Sequence, residues 1–278
     1  MIGRRAVAGL SLLSALVFCA FAAQSASAVN AIDTTANTCV PTANNTGDFK
    51  DEHCDVEGVK GKEKYAHAVI TEKKTKTSAS NDKVTEETKK SEPATLKGKV
   101  GLTKTEVHCN KVKNNVEKSY IENVETEKKH NLEGTAFTEF TECSVSQPEK
   151  CKVKEPVVSE ATFKGVEGLT GPKGEANAMG VEFTGEGPEK TFAELTYEGA
   201  ECALKGKSFK VKGSVVATSG PTTESAQTNR HAGATLVFTH IAKMQSELKL
   251  GVEPAEFTTI VTPTMDGGNP ITATTKVT

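Results

Sequence analysis

Ser208-Phe209-Lys210-Val211-Lys212-Gly213-Ser214-Val215-Val216-Ala217-Thr218 places apolar or small residues at 209, 211, 213, 215 and 217, with polar residues in most of the gaps. A period of two is that of a strand whose successive side chains point to opposite faces, whereas an amphipathic helix repeats at three and four. Working outward, the same alternation occurs at Val100 and Leu102, at Met179, Val181 and Phe183, and at Ala193, Leu195 and Tyr197. Thr, Lys, Ser or Glu fills most gaps, the pattern of antiparallel strands with one wet face. Gly165, Gly168, Gly171, Gly185, Gly187 and Gly206, with Pro148, Pro172 and Pro188, punctuate these runs at turn-like spacing. The expected fold is all-β, an antiparallel β-sandwich or barrel-like domain over residues 95–218.

Beyond a Ser/Thr/Gln-rich break at 219–229, alternation resumes at Ala234, Leu236 and Phe238, at Leu248 and Leu250, at Phe257, Thr259 and Val261, and from Ile271 to Val277. Residues 219–278 are expected to be strands that complete the sheet or form a small second β module. A helix over 236–250 competes, because Leu236, Ile241, Met244 and Leu248 approach helical spacing. Residues 29–94 form a Cys-containing, loop-rich segment. Within it Val29–Gly61 reads as loop, Tyr65–Ile70 as a strand, and Glu72–Ala94, rich in Lys, Thr and Glu, as a solvated loop or hairpin tip. Leu-Lys-Gly-Lys occurs at 96–99 and again at 204–207, too short a match to define a repeat.

Residues 1–28 have the parts of a cleaved export signal, expected as a helix. Arg4 and Arg5 form the charged region, an apolar run extends from Ala6 to Ala23, and Ala26-Ser27-Ala28 supplies small residues for cleavage. The run is short for a bilayer span of about 20 residues, and Phe18 before Cys19 does not suit lipidation. The expected location is secreted, extracellular or cell envelope, with no stable membrane span after signal cleavage. Removing Arg4 and Arg5 takes the formal charge from −2 to −4, a balance that implies neither a nucleic-acid partner nor an anionic surface.

Cys39, Cys54, Cys109, Cys143, Cys151 and Cys202 remain after the leader, an even number in an exported chain, so disulfide bracing is expected. Six cysteines allow 15 pairings, and sequence does not choose among them. Pairing near neighbours gives Cys39–Cys54 and Cys143–Cys151, which leaves Cys109–Cys202 to close the longest loop. A zinc site is disfavoured: no C-x-x-C occurs, and His108 and Cys109 point to opposite faces of a strand.

Phe140-Thr141-Glu142-Cys143, the stretch from Cys151 to Pro156, Met179-Gly180-Val181-Glu182-Phe183, Ala200-Glu201-Cys202-Ala203-Leu204-Lys205-Gly206 and Val211-Lys212-Gly213-Ser214 carry a resemblance. They are similar to a group of uncharacterised, secreted, β-rich, cysteine-containing proteins of soil actinobacteria. The similarity spans residues 95–218 and lies in strand and turn motifs around cysteines. It implies export and an all-β fold, and it brings no activity with it.

No residue pattern specifies catalysis. Ser246 and Lys249 make an S-x-x-K, but the accompanying S-D-N and K-T-G elements are missing, as is any G-x-S-x-G elbow. His53, His67, His108, His130, His231 and His240 are scattered without H-E-x-x-H or other paired metal spacing, and most read as solvated. Asp48, Asp51, Glu52, Asp55 and Glu57 cluster without the alternation of known calcium loops and read as a solvated face. Asn44-Asn45-Thr46 matches a glycosylation acceptor. Catalytic residues, metal ligands and cofactors are accordingly expected to be none. The expected function is a non-catalytic structural or binding protein of the envelope or exterior. Its partner would be a cell-wall or extracellular macromolecule, met at the loops 165–175 and 185–190. The alternative is a secreted hydrolase with a dispersed active site, recognisable only by geometry. A deep apolar pocket with convergent polar groups and perturbed carboxylates would favour the enzyme.

Intact-mass measurement of the exported protein is expected to give a chain that starts at Val29 and is two hydrogens lighter per disulfide than its reduced form. A retained leader or free thiols would contradict this reading.

Overall fold

The computed structural model describes residues 34–52, 54, 56–81, 93–126, 129–169, 178–220, 229–232, 235–238, 247–266 and 268–276. These form strands β1 (Thr34–Pro41), β2 (Tyr65–Val69), β3 (Thr75–Ser80), β4 (Ala94–Val100), β5 (Thr103–Asn114) and β6 (Tyr120–Thr126). Next come β7 (Lys129–Gln147), β8 (Lys152–Val153), β9 (Val157–Leu169), β10 (Ala178–Gly185), β11 (Thr191–Glu198), β12 (Ser208–Lys212) and β13 (Ser214–Gly220). The chain finishes with β14 (Asn229–Ala232), β15 (Thr235–Phe238), β16 (Lys249–Leu250), β17 (Glu253–Pro254), β18 (Glu256–Met265) and β19 (Ile271–Lys276). A single 3-10 turn, Ala43–Asn45, is the only helical element among the described residues. The all-β expectation holds, and every strand pairing is antiparallel.

The large sheet closes on itself. β4 pairs with β5, β5 with β7, β7 with β9, β9 with β10, β10 with β13, β13 with β15, β15 with β18, and β18 returns to β4. This ring of eight strands, each beside the next ring strand along the chain, is a closed up-and-down barrel. Closure removes the exposed edges that an open sheet leaves for aggregation. Thr258↔Thr95, Phe257↔Leu96 and Glu256↔Lys97 form the seam. Past the end of β4, β3 takes the same place in the wall, pairing β18 through Thr77–Ser80 and β5 through Ser80.

Both ends of the barrel are covered. At one end β14, β19, β1 and β2 form a separate four-stranded sheet. Its Ala36, Ile271 and Ala273 pack with Ile70 and with Ile121 and Leu132 of β6 and β7. Asn123 of β6 fastens it: Oδ1 accepts from Ala36 N at 2.7 Å, while Nδ2 donates to the carbonyls of Ala36 and Ile70, each at 2.9 Å. Thr34 Oγ1 accepts from Leu132 N at 3.0 Å, and a Cβ on Gly165 would lie 2.3 Å from that oxygen, so β1 can cross β9 only over a glycine. At the other end β8, β11, β12, β16 and β17 form a lobe around Tyr197, Leu195, Leu204 and Leu250. The fully buried Tyr197 hydroxyl bonds Thr105 Oγ1 of β5 at 3.1 Å.

Several expectations change. Thr34–Pro41, read as loop, is β1, and Thr75–Ser80, read as part of a solvated stretch, is β3. Both bury Thr, Asn or Ala (Thr34, Ala36, Asn37 and Thr38; Thr75, Thr77 and Ala79), which carry little apolar signal in sequence. Leu102 is fully exposed because the chain reverses at Gly101, whose φ is +60°. The 208–218 stretch is two strands. Gly213, with φ +114°, bends the chain so that β12 stays with the lobe and β13 enters the barrel, and a Cβ there would sit 2.1 Å from Glu247 O. Residues 219–278 divide: β15 and β18 complete the barrel, β16 and β17 join the lobe, and β14 and β19 join the small sheet. Within 236–250, β15 and β16 are strands and 239–246 lie outside the described residues, as does the 1–28 leader.

Of the expected disulfides, Cys39–Cys54 forms. The other two are Cys109–Cys143 and Cys151–Cys202 in place of Cys143–Cys151 and Cys109–Cys202. Cys109 and Cys143 face one another directly across the β5–β7 ladder. Pairing of β8 with β11 at Val153↔Tyr197 and Lys152↔Glu198 brings Cys151 to the turn that carries Cys202. Partners are thus set by strand register, which sequence proximity does not report. Sequence separations of 15, 34 and 51 residues correspond to about 3, 4 and 4 kcal/mol of loop-closure stabilisation in the chain-entropy treatment.

Asn123→Leu is expected to lower unfolding free energy by about 2 to 3 kcal/mol, because it strands Ala36 N and two carbonyls where β1 meets the barrel. Urea denaturation checks this; a loss below about 0.5 kcal/mol, the size of an ordinary surface substitution, would contradict it.

Candidate functional site

Strand alternation decides what faces the barrel axis. On β18 the inward residues are Phe257, Thr259, Val261 and Pro263; on β9 they are Val157, Ser159, Ala161 and Phe163; on β7 they include Leu132, Ala136, Thr138 and Phe140. An eight-stranded barrel is just wide enough for side chains to fill it or for one small ligand to take their place. Here many inward positions are small: Ala79, Ala94, Ala136, Ser159, Ala161 and Ala193. A cavity of about 180 Å³ results. Ile271 and Ala273 of the small sheet contribute to its wall at one end, and Leu195, Val211 and Leu248 at the other. Large side chains remain where rings interlock, as with Phe140 and Phe257 edge to face at 5.9 Å and Phe163 and Phe183 at 5.3 Å. Gly134 makes room for one of them, since its Cβ would lie 2.4 Å from Phe163 Cζ.

The lining is almost wholly apolar, and no Asp, Glu, His, Lys, Arg or Tyr takes part in it among the described residues. Its polar members are Thr77, Ser78, Asn114, Thr138, Ser159 and Thr259. Asn114, Thr138 and Ser159 are successive cross-strand neighbours on β5, β7 and β9, and Thr138 Oγ1 donates to Asn114 Oδ1 at 2.8 Å. Thr259 is 3% exposed, and its hydroxyl has no hydrogen-bond partner among the described residues. Hydroxyls without a histidine, lysine or carboxylate to take their proton are poor nucleophiles. The site is therefore equipped to enclose a molecule, and its lining supplies no acid or base.

The residues singled out in the sequence lie elsewhere. Residues 165–169 belong to β9, and 170–175 lie outside the described residues. Residues 185–190 make a tight turn closed by Glu186 N to Thr191 O at 3.1 Å and Thr191 N to Glu186 O at 2.9 Å. From it Glu189 reaches Lys210 at 2.8 Å and Lys212 at 3.0 Å, and hydrogen bonds to these two lysines hold its carboxyl at a pKa of about 2. In the acidic cluster Asp48 Oδ1 accepts from Gly61 N at 2.8 Å and Asp51 Oδ1 from Val56 N at 2.7 Å, so these carboxylates brace a turn. Asp55 and His53 lie outside the described residues, as does Ser246, whereas Lys249 is an exposed residue of β16. No group of three or more His, Cys, Asp or Glu converges among the described residues. His108 points away from the disulfide at Cys109, its Nδ1 3.0 Å from Thr95 Oγ1 and its Nε2 3.1 Å from Glu106.

His67 departs from the expectation of solvated histidine. It pairs with Cys39 across β1 and β2, and its ring lies 4.5 Å from that of Phe49. Burial pulls its pKa down to about 4, partly opposed by Asp48. The cavity itself escaped the sequence reading, because closure depends on register between strands far apart in the chain. The one signal available was the run of small residues in the inward phase, Ser159 and Ala161 on one strand and Gly134 and Ala136 on another.

Comparison of the chain with protein-family models, with curated proteins and with solved structures finds no match in any of the three.

His67 makes stability pH-dependent. A neutral folded-state histidine with a pKa near 4 takes up a proton only on unfolding when the pH lies between about 4 and 6.5, so stability falls as pH drops through that window. Between pH 7 and pH 5 the wild type is expected to lose about 1 to 2 kcal/mol more than His67→Leu, allowing for partial exposure of the ring. Urea titrations of both proteins at the two pH values check the difference; equal losses would contradict it.

Proposed function

We propose that the protein is an exported binding module without a catalytic site, secreted or held at the cell envelope, which carries a small apolar molecule inside its barrel. The observation that carries this reading is the 180 Å³ cavity walled by Val, Leu, Ile, Phe and Ala. Apolar cavities of about 150 Å³ stay dry and take up benzene-sized guests, so the space and its chemistry suit a ligand of one or two rings or a short branched chain. Three disulfides support an extracellular setting. The perturbed carboxylates that would favour a hydrolase are not in the cavity wall among the described residues, of which the one strongly shifted carboxyl, Glu189, sits at the surface between two lysines. The small guest replaces the cell-wall or extracellular macromolecule as the first partner to seek.

Titration with naphthalene, followed by its own fluorescence, is expected to show saturable uptake at one site per chain. Ala161→Leu and Ala136→Leu fill the cavity and are expected to weaken uptake at least tenfold while keeping the β-type circular dichroism spectrum. No uptake by the wild type, or uptake by both variants as tight as that of the wild type, would overturn the reading. Glycosidase, esterase, peptidase and phosphatase substrates are expected to give no turnover above background.

A further inference from the structure

We propose that the cavity selects a neutral, mainly apolar molecule of about ten non-hydrogen atoms that carries one hydroxyl or carbonyl group, and that Thr259 Oγ1 is the atom that reads this group. The inference rests on the binding reading above and goes beyond it to the chemistry of the ligand. Thr259 lies on the inward face of β18 between Phe257 and Val261, and its side-chain oxygen is buried without a partner among the described residues. A buried hydroxyl left unpaired is costly, and native interiors rarely keep one without a use. Its neighbours on the inward face of the strand, Phe257 and Val261, offer no polar side-chain atom, whereas an ordered water would need two to four polar partners. The other hydroxyl and amide pair that can be followed, Thr138 and Asn114, satisfies itself across β5 and β7. Thr259 is thus the group left to a guest, and a threonine hydroxyl can either donate to a carbonyl or accept from an alcohol.

The same wall sets the charge of the ligand. No cationic or anionic side chain lines the cavity among the described residues, so an ionised guest would leave water with nothing to pair it. Neutral alcohols, ketones, aldehydes and esters fit; carboxylates and amines in their charged forms do not.

Three probes that share the naphthalene ring system separate these statements: naphthalene, 2-naphthol and 1-naphthoate. With no Trp and three Tyr in the chain, naphthyl fluorescence reports binding against a low protein background. The wild type is expected to bind 2-naphthol about tenfold more tightly than naphthalene and to bind 1-naphthoate at least tenfold more weakly than either. Thr259→Val keeps the shape and removes the hydroxyl, and is expected to reverse the first preference; Thr259→Ser is expected to keep it. Naphthalene binding as tight as 2-naphthol in the wild type, or unchanged 2-naphthol affinity in Thr259→Val, overturns the role of Thr259 while leaving the cavity reading in place. Tight 1-naphthoate binding overturns the neutrality of the ligand. If none of the three binds, the cavity reading falls and this proposal falls with it. Should Thr259→Val not fold, the wild-type ratio and Thr259→Ser still decide.

Discussion

The pairing of β18 with β4 is the constraint on which the rest of the molecule depends. Three residue pairs, from Thr258↔Thr95 to Glu256↔Lys97, turn a long antiparallel meander into a cylinder. Without them the inward faces of β7, β9 and β18 would line a groove open to water, and the wide scatter of Ala, Ser and Thr on those faces would leave them too thinly apolar to pack against a second sheet. Closure makes the same composition workable. Ile121, Leu132 and Ile271 meet under the small sheet, and a larger apolar cluster runs from Tyr197, Leu204 and Leu250 in the lobe into the barrel wall at Val107, Val157 and Val261.

How much of this is legible in the sequence follows from which residues each strand buries. The alternation at Met179–Phe183, Ala193–Tyr197 and Phe209–Val211 is visible because one phase holds large apolar side chains, and those segments are strands. β1 and β3 bury threonine, asparagine and alanine, whose methyl groups pack well but whose sequence signature is that of a polar loop. The break at Gly213 is equally hidden, since a glycine in the inward phase reads as a small core residue until the approach of Glu247 O shows why nothing larger fits. Cysteine partners depend on register, and register in a barrel is a property of the whole ring.

Placement of charge separates the two faces of the wall. Lys97 and Glu106, and Lys164 and Glu182, pair across neighbouring strands on the outside, each at 3.2 Å, while the positions one residue along point to an interior with no charge among the described residues. Individually such exposed pairs contribute about 0 to 1 kcal/mol, so their main effect is solubility and resistance to edge association. Stability comes from the disulfides, the two apolar clusters and the hydrogen bonds of Asn123. Filling the barrel interior with leucine and phenylalanine would have made a firmer core and removed this cavity.

The small sheet gives the molecule an order of assembly. Its central pair joins β1, among the first residues of the fold, to β19, among the last, with Thr34 opposite Thr275 and Thr38 opposite Ile271. A chain made amino end first therefore holds β1 and β2 without β19 until Ile271–Lys276 have been added. During that interval the barrel wall can form while the end under β19 stands open. The mouth is closed by β19, which follows all eight strands of the barrel in the chain, so the interior is shut off from its surroundings only after its wall is complete.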